Sequence, residues 1–225
     1  MLVKKWMSKP VISIESDASL MDASNLFRKK IISMLPVTQD GKLVGIVTDG
    51  DIKKASPSEA TSLDIYELMS LVRQIKITQV MSSPVATISG DCTVDEAAAM
   101  MLRKNISGMP VLDDKGQMIG VITKSDIFRC LVSFTGIANK GQVFAFRIKD
   151  RPGIIKVLTD TIRQNGGRLS SILTSYDDID HGFREVFIHS YDIAPDRFEP
   201  VVAQLHEAAQ ILYVADLERG VRRIY

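Results

Sequence analysis

Gly45-Ile46-Val47-Thr48-Asp49-Gly50-Asp51 is matched later in the chain by a second stretch of the same pattern, Gly120-Val121-Ile122-Thr123-Lys124-Ser125-Asp126. In both stretches a glycine, two apolar residues and a threonine precede an aspartate that stands three residues after the threonine. This pattern fits a strand that ends at the threonine and a helix that begins there, because threonine caps helices and aspartate suits the first turn. The duplication predicts a repeated unit.

The repeat extends outward from this stretch. Met7-Ser8-Lys9-Pro10-Val11 returns as Met81-Ser82-Ser83-Pro84-Val85, and each copy then predicts a strand, a helix, a hairpin of two strands and a second helix, with the first strands at 11–14 and 85–88. Ser19 and Thr93 are predicted to open the first helix of each copy through capping boxes. Each βαββα copy leaves one apolar face uncovered, so we expect the two copies to pack together.

The duplicated unit resembles the CBS domain family over residues 1–132, through the Ser-x-x-Pro-Val segment and the Gly-x-x-Thr-x-x-Asp end of each hairpin. The resemblance predicts a first CBS domain at 1–60, which includes the N-terminal segment, and a second at 77–135. Residues 61–76 are an insertion, interpreted as a connector helix.

The paired threonine and aspartate are suited to a nucleotide. A strand-to-helix junction presents backbone amides and the positive end of the helix dipole to a phosphate. The threonine hydroxyl adds a donor, and the carboxylate can accept from both vicinal hydroxyls of a ribose. Basic residues nearby in sequence can neutralise the phosphate charge; they are Lys53, Lys54, Lys124 and Arg129.

The CBS resemblance further implies an apolar slot for adenine, supplied by backbone near the first strand and the first hairpin strand of each copy. The predicted nucleotide-binding set is Thr48, Asp51, Thr123, Asp126, Ile32, Ser33, Ile106, Ser107, Val11 and Val85. AMP, ADP or ATP are the expected ligands, with NAD and S-adenosylmethionine as further candidates. These molecules are regulatory ligands, and no cofactor is predicted.

The same motif has an interpretation without a ligand. Thr-x-x-Asp is also a capping box, in which each side chain bonds the other's backbone amide, and a cap of this kind stabilises a helix by about 0.5–2 kcal/mol. The sequence leaves both interpretations open. The chain lacks a Gly-x-x-x-x-Gly-Lys-Ser/Thr loop, so hydrolysis of a bound nucleotide is not predicted.

A different pattern begins after Asn139-Lys140-Gly141 and predicts a second domain at 140–219. Its strands and helices follow the order βαββαβ, the ferredoxin-like arrangement in which two helices cover one face of an antiparallel sheet. The whole chain is therefore predicted to be an α+β protein.

This second domain resembles the ACT family, and the Asp150-Arg151-Pro152-Gly153 turn carries the resemblance. The family implies an amino-acid site at this turn, formed by Asp150, Pro152, Gly153 and Ile154. Glycine permits close backbone approach, and a helix start favours a carboxylate. The alternatives are a tight turn with no ligand, and a domain that pairs subunits through its sheet edges.

Composition narrows the function further. Lys and Arg number 28 against 27 Asp and Glu, so no broad field attracts nucleic acid or anionic lipid. No apolar run is long enough for a membrane span and no signal peptide is predicted, so we expect a cytoplasmic protein. Cys92, Cys130 and the three histidines form no metal or catalytic pattern, and we expect neither a metal site nor an enzyme.

A CBS pair followed by one ACT-like domain resembles the AcuB type of acetoin-utilisation protein. The resemblance implies a regulatory protein that senses a nucleotide and passes its state to a target protein of unknown identity, in acetoin or acetate metabolism. We expect a homo-oligomer, a dimer in the simplest case. The leading alternative is a structural adaptor that mediates oligomerisation and binds no small ligand.

Overall fold

A computed structural model describes residues 1–55 and 72–225. The described chain divides into two compact units, Met1–Phe128 and Arg129–Tyr225. The connector helix is predicted over 61–76, and the part of it up to position 71 lies outside the described residues. The end of the first predicted domain, after position 55, lies outside them as well. The predicted domain boundaries therefore stay predictions.

The first unit contains the two copies predicted from the repeat, except that the last helix of the second copy continues past Phe128 into the second unit. The elements of the first copy are α1 (Val3–Trp6), β1 (Ile14–Glu15), α2 (Leu20–Lys30), β2 (Met34–Gln39), β3 (Lys42–Thr48) and α3 (Asp49–Ala55). After a 3₁₀ turn at Ile77–Gln79, the elements of the second copy are β4 (Ile88–Ser89), α4 (Val94–Lys104), β5 (Gly108–Leu112), β6 (Met118–Thr123) and α5 (Lys124–Thr135). In each copy the first strand is parallel to the second, which forms an antiparallel hairpin with the third.

The first strands are shorter than the sequence predicts. Strands were predicted at 11–14 and 85–88, but only Ile14–Glu15 and Ile88–Ser89 join the ladders of β2 and β5. The residues before them pair elsewhere, because Ser8 forms a bridge with Val121 and Ser82 forms a bridge with Ile46. Each copy therefore sends the segment before its first strand across to the last strand of the other copy.

This exchange places residues from the start of the chain in the core of the second copy. Val3 and Met7 are buried there with residues of the second repeat, namely Ile88, Ala97, Met101, Met109, Val111 and Ile122. The core of the first copy contains Ile14, Leu20, Ala23, Phe27, Leu35, Val37, Val47, Ile52 and Ile77, with Val80 and Met81 packed against it. Neither copy completes its core with its own sequence repeat alone.

The second unit has the ferredoxin-like order predicted from the sequence, with one further strand. Its elements are β7 (Gln142–Lys149), α6 (Ile154–Gln164), β8 (Arg168–Ser175), β9 (Phe183–Tyr191), α7 (Phe198–Ala208), β10 (Gln210–Asp216) and β11 (Val221–Ile224). The sheet order is β11-β10-β7-β9-β8, and every neighbouring pair is antiparallel. Apolar residues of β7, β9 and β10 form one core with α6 and α7.

β11 is not predictable from the sequence, because its four residues are all exposed and show no alternation of apolar and polar side chains. A salt bridge attaches this edge strand to α7. The Arg223 guanidinium donates to Glu199, with Nη1 2.7 Å from Oε2, and this hydrogen bond lowers the pKa of the Glu199 carboxyl. Main-chain pairing with β10 and one exposed ion pair hold β11 in place.

Candidate functional site

Thr48 and Asp51 form a capping box where β3 passes into α3. The Thr48 hydroxyl and backbone amide both donate to Asp51 Oδ2, at 2.6 and 2.9 Å, and the Asp51 amide donates to Thr48 Oγ1 at 3.3 Å. Both side chains are half-buried. The capping interaction that the sequence offers as the alternative to ligand binding is therefore present in the first copy.

Thr123 and Asp126 repeat this arrangement where β6 passes into α5. The Thr123 hydroxyl and amide donate to Asp126 Oδ2 at 2.8 and 2.9 Å, and the Asp126 amide donates to Thr123 Oγ1 at 3.4 Å. The two motifs thus share their bonding pattern, and their distances agree within a few tenths of an ångström.

A cap of this kind does not exclude a ligand. In each box the threonine bonds use one oxygen of the carboxylate, Oδ2. An ionised carboxylate has about four lone-pair positions on its two oxygens. The cap fixes the orientation of the side chain and leaves Oδ1 outside the capping box, so the cap itself does not use the second oxygen of either aspartate.

Two further predicted residues lie beside each box. The Asp49 amide donates to the Ser33 carbonyl at 3.1 Å, and the Lys124 amide donates to the Ser107 carbonyl at 2.9 Å. These bonds fix the start of β2 against the start of α3, and the start of β5 against the start of α5. Ile32 and Ile106, which precede the two serines, are partly buried against the cores of their copies.

The last two predicted residues, Val11 and Val85, each follow a segment that pairs with the opposite copy. Ser82 pairs with Ile46 through two main-chain bonds of 2.8 and 3.0 Å, so Val85 follows a segment attached to the first copy. Ser8 pairs in the same way with Val121 at 2.8 and 3.2 Å, so Val11 follows a segment attached to the second copy. The segment before Val11 is therefore attached to the copy that contains the Thr123 box, and the segment before Val85 is attached to the copy that contains the Thr48 box.

Two residues beside the second box are not predicted from the sequence. The Ser8 hydroxyl donates to Asp126 Oδ1 at 3.2 Å, and the Met34 methyl group lies beside Gly108, the residue that pairs with Thr123. Neither contact leaves a local signal, because each depends on how the two copies pack. The serine does recur at the same place in both copies, as Ser8 and Ser82, and that recurrence was the available hint.

A cleft of about 1000 Å³ opens between the hairpin turns of the two copies. Polar residues of both copies line it, among them Ser13, Glu15, Thr38, Lys42, Lys115 and Gln117. This cleft lies at the beginnings of β3 and β6, whereas Thr48 and Thr123 stand at the ends of these strands. Of the predicted nucleotide-binding residues, Val85 lines it.

The basic residues predicted to neutralise phosphate are exposed, and Lys53 forms an ion pair. Lys53 Nζ lies 2.6 Å from Asp49 Oδ2 in an ion pair along α3. The Lys54, Lys124 and Arg129 side chains are exposed. Exposed ion pairs are weak, about 0–1 kcal/mol, so the Lys53 pair presents little barrier to an incoming phosphate.

In the second unit, the Asp150 carboxylate is engaged within the domain. Tyr176 donates to its Oδ2 at 3.1 Å, and Arg184 Nε lies 3.3 Å from Oδ1 without the alignment of a hydrogen bond. Gly153 caps α6 in the left-handed region at φ 87°, a conformation that favours glycine. The turn is followed by the α6 amides beginning at Ile154, while Pro152 is exposed.

Over residues 1–55 and 72–225, no group of three or more His, Cys, Asp or Glu side chains is arranged to hold a metal ion. Within these ranges neither Cys92 nor Cys130 forms a disulfide. No helix in these same ranges combines the length and apolar character that crossing a bilayer requires.

The model of the CBS domain family matches residues 3–58 and 72–133. An uncharacterised protein of Methanocaldococcus jannaschii is 36% identical, over 59% of this chain and 92% of that protein. A CBS domain pair solved in complex with 5′-methylthioadenosine and S-adenosyl-L-methionine is 37% identical, over 59% of this chain and 96% of its own, with a TM-score of 0.49. A Vibrio cholerae protein assigned to acetoin utilization (AcuB) shares the fold at 24% identity and a TM-score of 0.50, over 61% of this chain and 95% of its own.

The family match and the duplicated βαββα architecture agree. The chain belongs to the CBS domain family and carries two CBS domains in tandem. The matched residues include both Thr-x-x-Asp motifs.

Proposed function

We propose that this chain is a non-catalytic regulatory protein that senses an adenine nucleotide in its CBS pair. One observation carries the proposal: both copies hold a threonine and an aspartate in the same bonded geometry, next to a segment contributed by the other copy. A single capping box is common in proteins. Two boxes, each flanked by an exchanged segment, give two oriented carboxylates at composite sites.

Each box supplies the groups that a nucleotide needs. The aspartate accepts from ribose hydroxyls through the oxygen that the cap leaves outside the box, and bonds to an ionised acceptor are the strong ones. The neighbouring exposed lysines, Lys54 and Lys124, provide positive charge for phosphate. AMP, ADP and ATP fit this set best, and NAD and S-adenosylmethionine share the adenosine portion.

The proposed mechanism is linkage between ligand binding and the arrangement of the two copies. A nucleotide at a composite site contacts both copies, so it stabilises the arrangement that it binds more tightly. Coupling of about 1–3 kcal/mol is ordinary for such a device. We propose that the second unit, through its resemblance to ACT domains, or an unidentified partner protein responds to this arrangement in the cytoplasm. The link to acetoin or acetate metabolism rests on the resemblance to AcuB.

The second unit has its own proposed ligand. The Asp150–Gly153 turn and the α6 amides that follow it suit the carboxylate of an amino acid. The competing role for this turn is structural, because Asp150 already bonds Tyr176 and lies close to Arg184.

Equilibrium dialysis of the intact protein against AMP, ADP, ATP, NAD and S-adenosylmethionine tests the proposal. Saturable binding of at least one of them is expected, with GMP bound more weakly as a control for the base. No association of any of the five at millimolar concentration would contradict nucleotide sensing.

A structural adaptor is the second candidate, and one observation favours it. Phe128, Leu131 and Val132 are 63, 53 and 54% exposed on one side of α5, at the spacing of a helix stripe. An apolar face of this kind supports the proposal of a homo-oligomer, a dimer in the simplest case. An adaptor would show a stable dimer by light scattering together with no bound nucleotide in the dialysis.

A further inference from the structure

The two Thr-Asp boxes differ in one respect that the repeat does not predict. Asp126 is buried, with 3% of its surface exposed, whereas Asp51 is half-buried. The main-chain pairing around the two boxes is equivalent.

The Ser8 hydroxyl bonds the oxygen of the Asp126 carboxylate that the capping box does not use. Ser8 Oγ donates to Asp126 Oδ1 at 3.2 Å, while Thr123 occupies Oδ2. Both oxygens of Asp126 therefore accept hydrogen bonds from the protein. The counterpart of Ser8 in the other exchanged segment is Ser82, and within the described ranges its hydroxyl donates no hydrogen bond to Asp51.

The segment that carries Ser8 is attached firmly to the second copy. The Val3 and Lys4 amides donate to the Cys92 and Gly90 carbonyls, both at 2.9 Å, and Lys4 Nζ forms a 2.6 Å ion pair with Asp91. Val3 is completely buried. Ser8 is therefore held at the carboxylate, and a ligand hydroxyl that takes its place must displace the serine side chain by rotation.

A second difference acts in the same direction. Met34 of β2 pairs with Thr48 of β3 across the first hairpin, and Gly108 of β5 pairs with Thr123 of β6 at the equivalent position of the second. A Cβ placed on Gly108 would be 2.8 Å from the Met34 methyl carbon and 3.1 Å from Thr123 Cγ2. The Met34 methyl therefore occupies space next to Thr123, and Gly108 has no side chain to do the same next to Thr48.

We propose that the two sites are unequal in this chain: nucleotide fills the Thr48–Asp51 site first, and the Thr123–Asp126 site binds only when Ser8 releases its carboxylate. The inference rests on the proposed function and adds an order of occupancy to it. Displacing a hydrogen bond to a charged group costs affinity, so the second site is expected to bind roughly tenfold more weakly or worse.

Calorimetric titration with AMP and, separately, ATP tests this order in five forms of the full chain: wild type, Asp51→Asn, Asp126→Asn, Ser8→Ala and Ser82→Ala. The asparagine amide oxygen can still accept from the threonine hydroxyl and amide, so the two carboxyl variants are expected to fold. Circular dichroism melts of each variant check this directly.

Two phases of binding are expected in the wild type. The tight phase disappears in Asp51→Asn and persists in Asp126→Asn. Ser8→Ala strengthens the weak phase several-fold, whereas the matched Ser82→Ala changes either phase by less than about twofold, because its hydroxyl bonds neither carboxylate.

Three results would overturn the order of occupancy while nucleotide sensing stands: two sites of equal affinity, loss of the tight phase in Asp126→Asn alone, or weaker binding in Ser8→Ala, which would make Ser8 an organiser of the site. Absence of binding to the wild type is a different result, and it contradicts the proposed function together with the order built on it.

Discussion

Gly45 and Gly120 lie where the side chains of Met81 and Met7 pack against the hairpins of the opposite copies. A Cβ on Gly45 would lie 2.2 Å from Met81 Sδ, and a Cβ on Gly120 would lie 2.3 Å from Met7 Sδ. The first residue of the repeated motif is thus glycine because a side chain from the other segment occupies that space. The requirement for glycine here is one of close approach, since neither residue adopts a positive φ.

Gly120→Ala is therefore expected to destabilise the protein by about 1–3 kcal/mol, because Met7 must move within a packed core. Urea unfolding followed by circular dichroism measures the change. Gly50→Ala is the control, since its Cβ would meet nothing closer than Thr48 Oγ1 at 3.7 Å. A Gly120→Ala protein as stable as the wild type would show that Met7 does not pack tightly there.

His189 lies on β9 opposite Val143 and Ser171, and burial lowers the pKa of its imidazole from the ordinary value of 6.5. The unfolded chain therefore takes up a proton near pH 6.5 that the folded chain resists. Stability from this group is complete above pH 6.5 and is lost as the pH falls below it.

His189→Gln, which cannot titrate, is expected to show a smaller fall in Tm than the wild type between pH 7 and pH 5. Differential scanning calorimetry at both pH values measures the difference. His181→Gln removes an exposed histidine and should follow the wild type. An equal fall in all three proteins would mean that His189 protonates freely in the folded state.

Local contacts of the site were predictable from the sequence, and distant ones were not. Thr48 and Asp51 are three residues apart, so helix capping alone brings them together. Ser8 and Asp126 are separated by 118 residues and meet only after the segments have exchanged. The sequence therefore indicates which residues form each box, but not that Ser8 closes one of them.

At the scale of elements, the two copies build their first helices in nearly the same way. Ser19 and Thr93 each accept from the amide three residues later and donate their own amides to Asp22 and Glu96, as the capping boxes predict. The Ser19 hydrogen bonds lower the pKa of the Asp22 carboxyl. These helices were predictable because caps and buried stripes are local signals.

The ends of the same helices differ. The residue that follows α2 is Ile31, which adopts a left-handed conformation at φ 52° and is 93% exposed. The residue that follows α4 is Asn105, with φ 51° at the equivalent position. Asparagine tolerates this conformation, whereas a β-branched residue is strained in it.

Ile31→Asn is accordingly expected to stabilise the protein by about 1 kcal/mol, and the reverse change Asn105→Ile to destabilise it by a similar amount. Thermal melts of both variants beside the wild type measure the two shifts. A loss of stability in Ile31→Asn would mean that the exposed isoleucine makes a contact worth more than its backbone strain.

Elements without a local pattern escaped prediction. β11 is exposed throughout, and its position depends on pairing with β10 and on the Arg223–Glu199 bridge. The first strands were placed too early, because the extended residues before them pair with the opposite copy and not with their own hairpin. Extended segments are recognisable in sequence, but their partners are set by tertiary packing.

For the whole molecule, the exchange of segments makes the CBS pair one folding unit. Val3 and Met7 complete the core of the second copy, while Ile77 and Met81 pack in the core of the first. A separated copy would expose part of its core. The same exchange places a segment from the other sequence repeat beside each Thr-Asp box, as the proposed linkage between ligand binding and the arrangement of the copies requires.

We propose that Asp51 and Asp126 bind the ribose of an adenine nucleotide. The sharpest test of this role is a calorimetric titration of AMP into the wild type and into the Asp51→Asn/Asp126→Asn double variant. We expect saturable binding to the wild type and at least roughly hundredfold weaker binding to the double variant at unchanged Tm, since the asparagine amide oxygen still accepts from the threonine but carries no charge. Equal affinity in the two proteins would contradict the claim and assign these aspartates to helix capping alone.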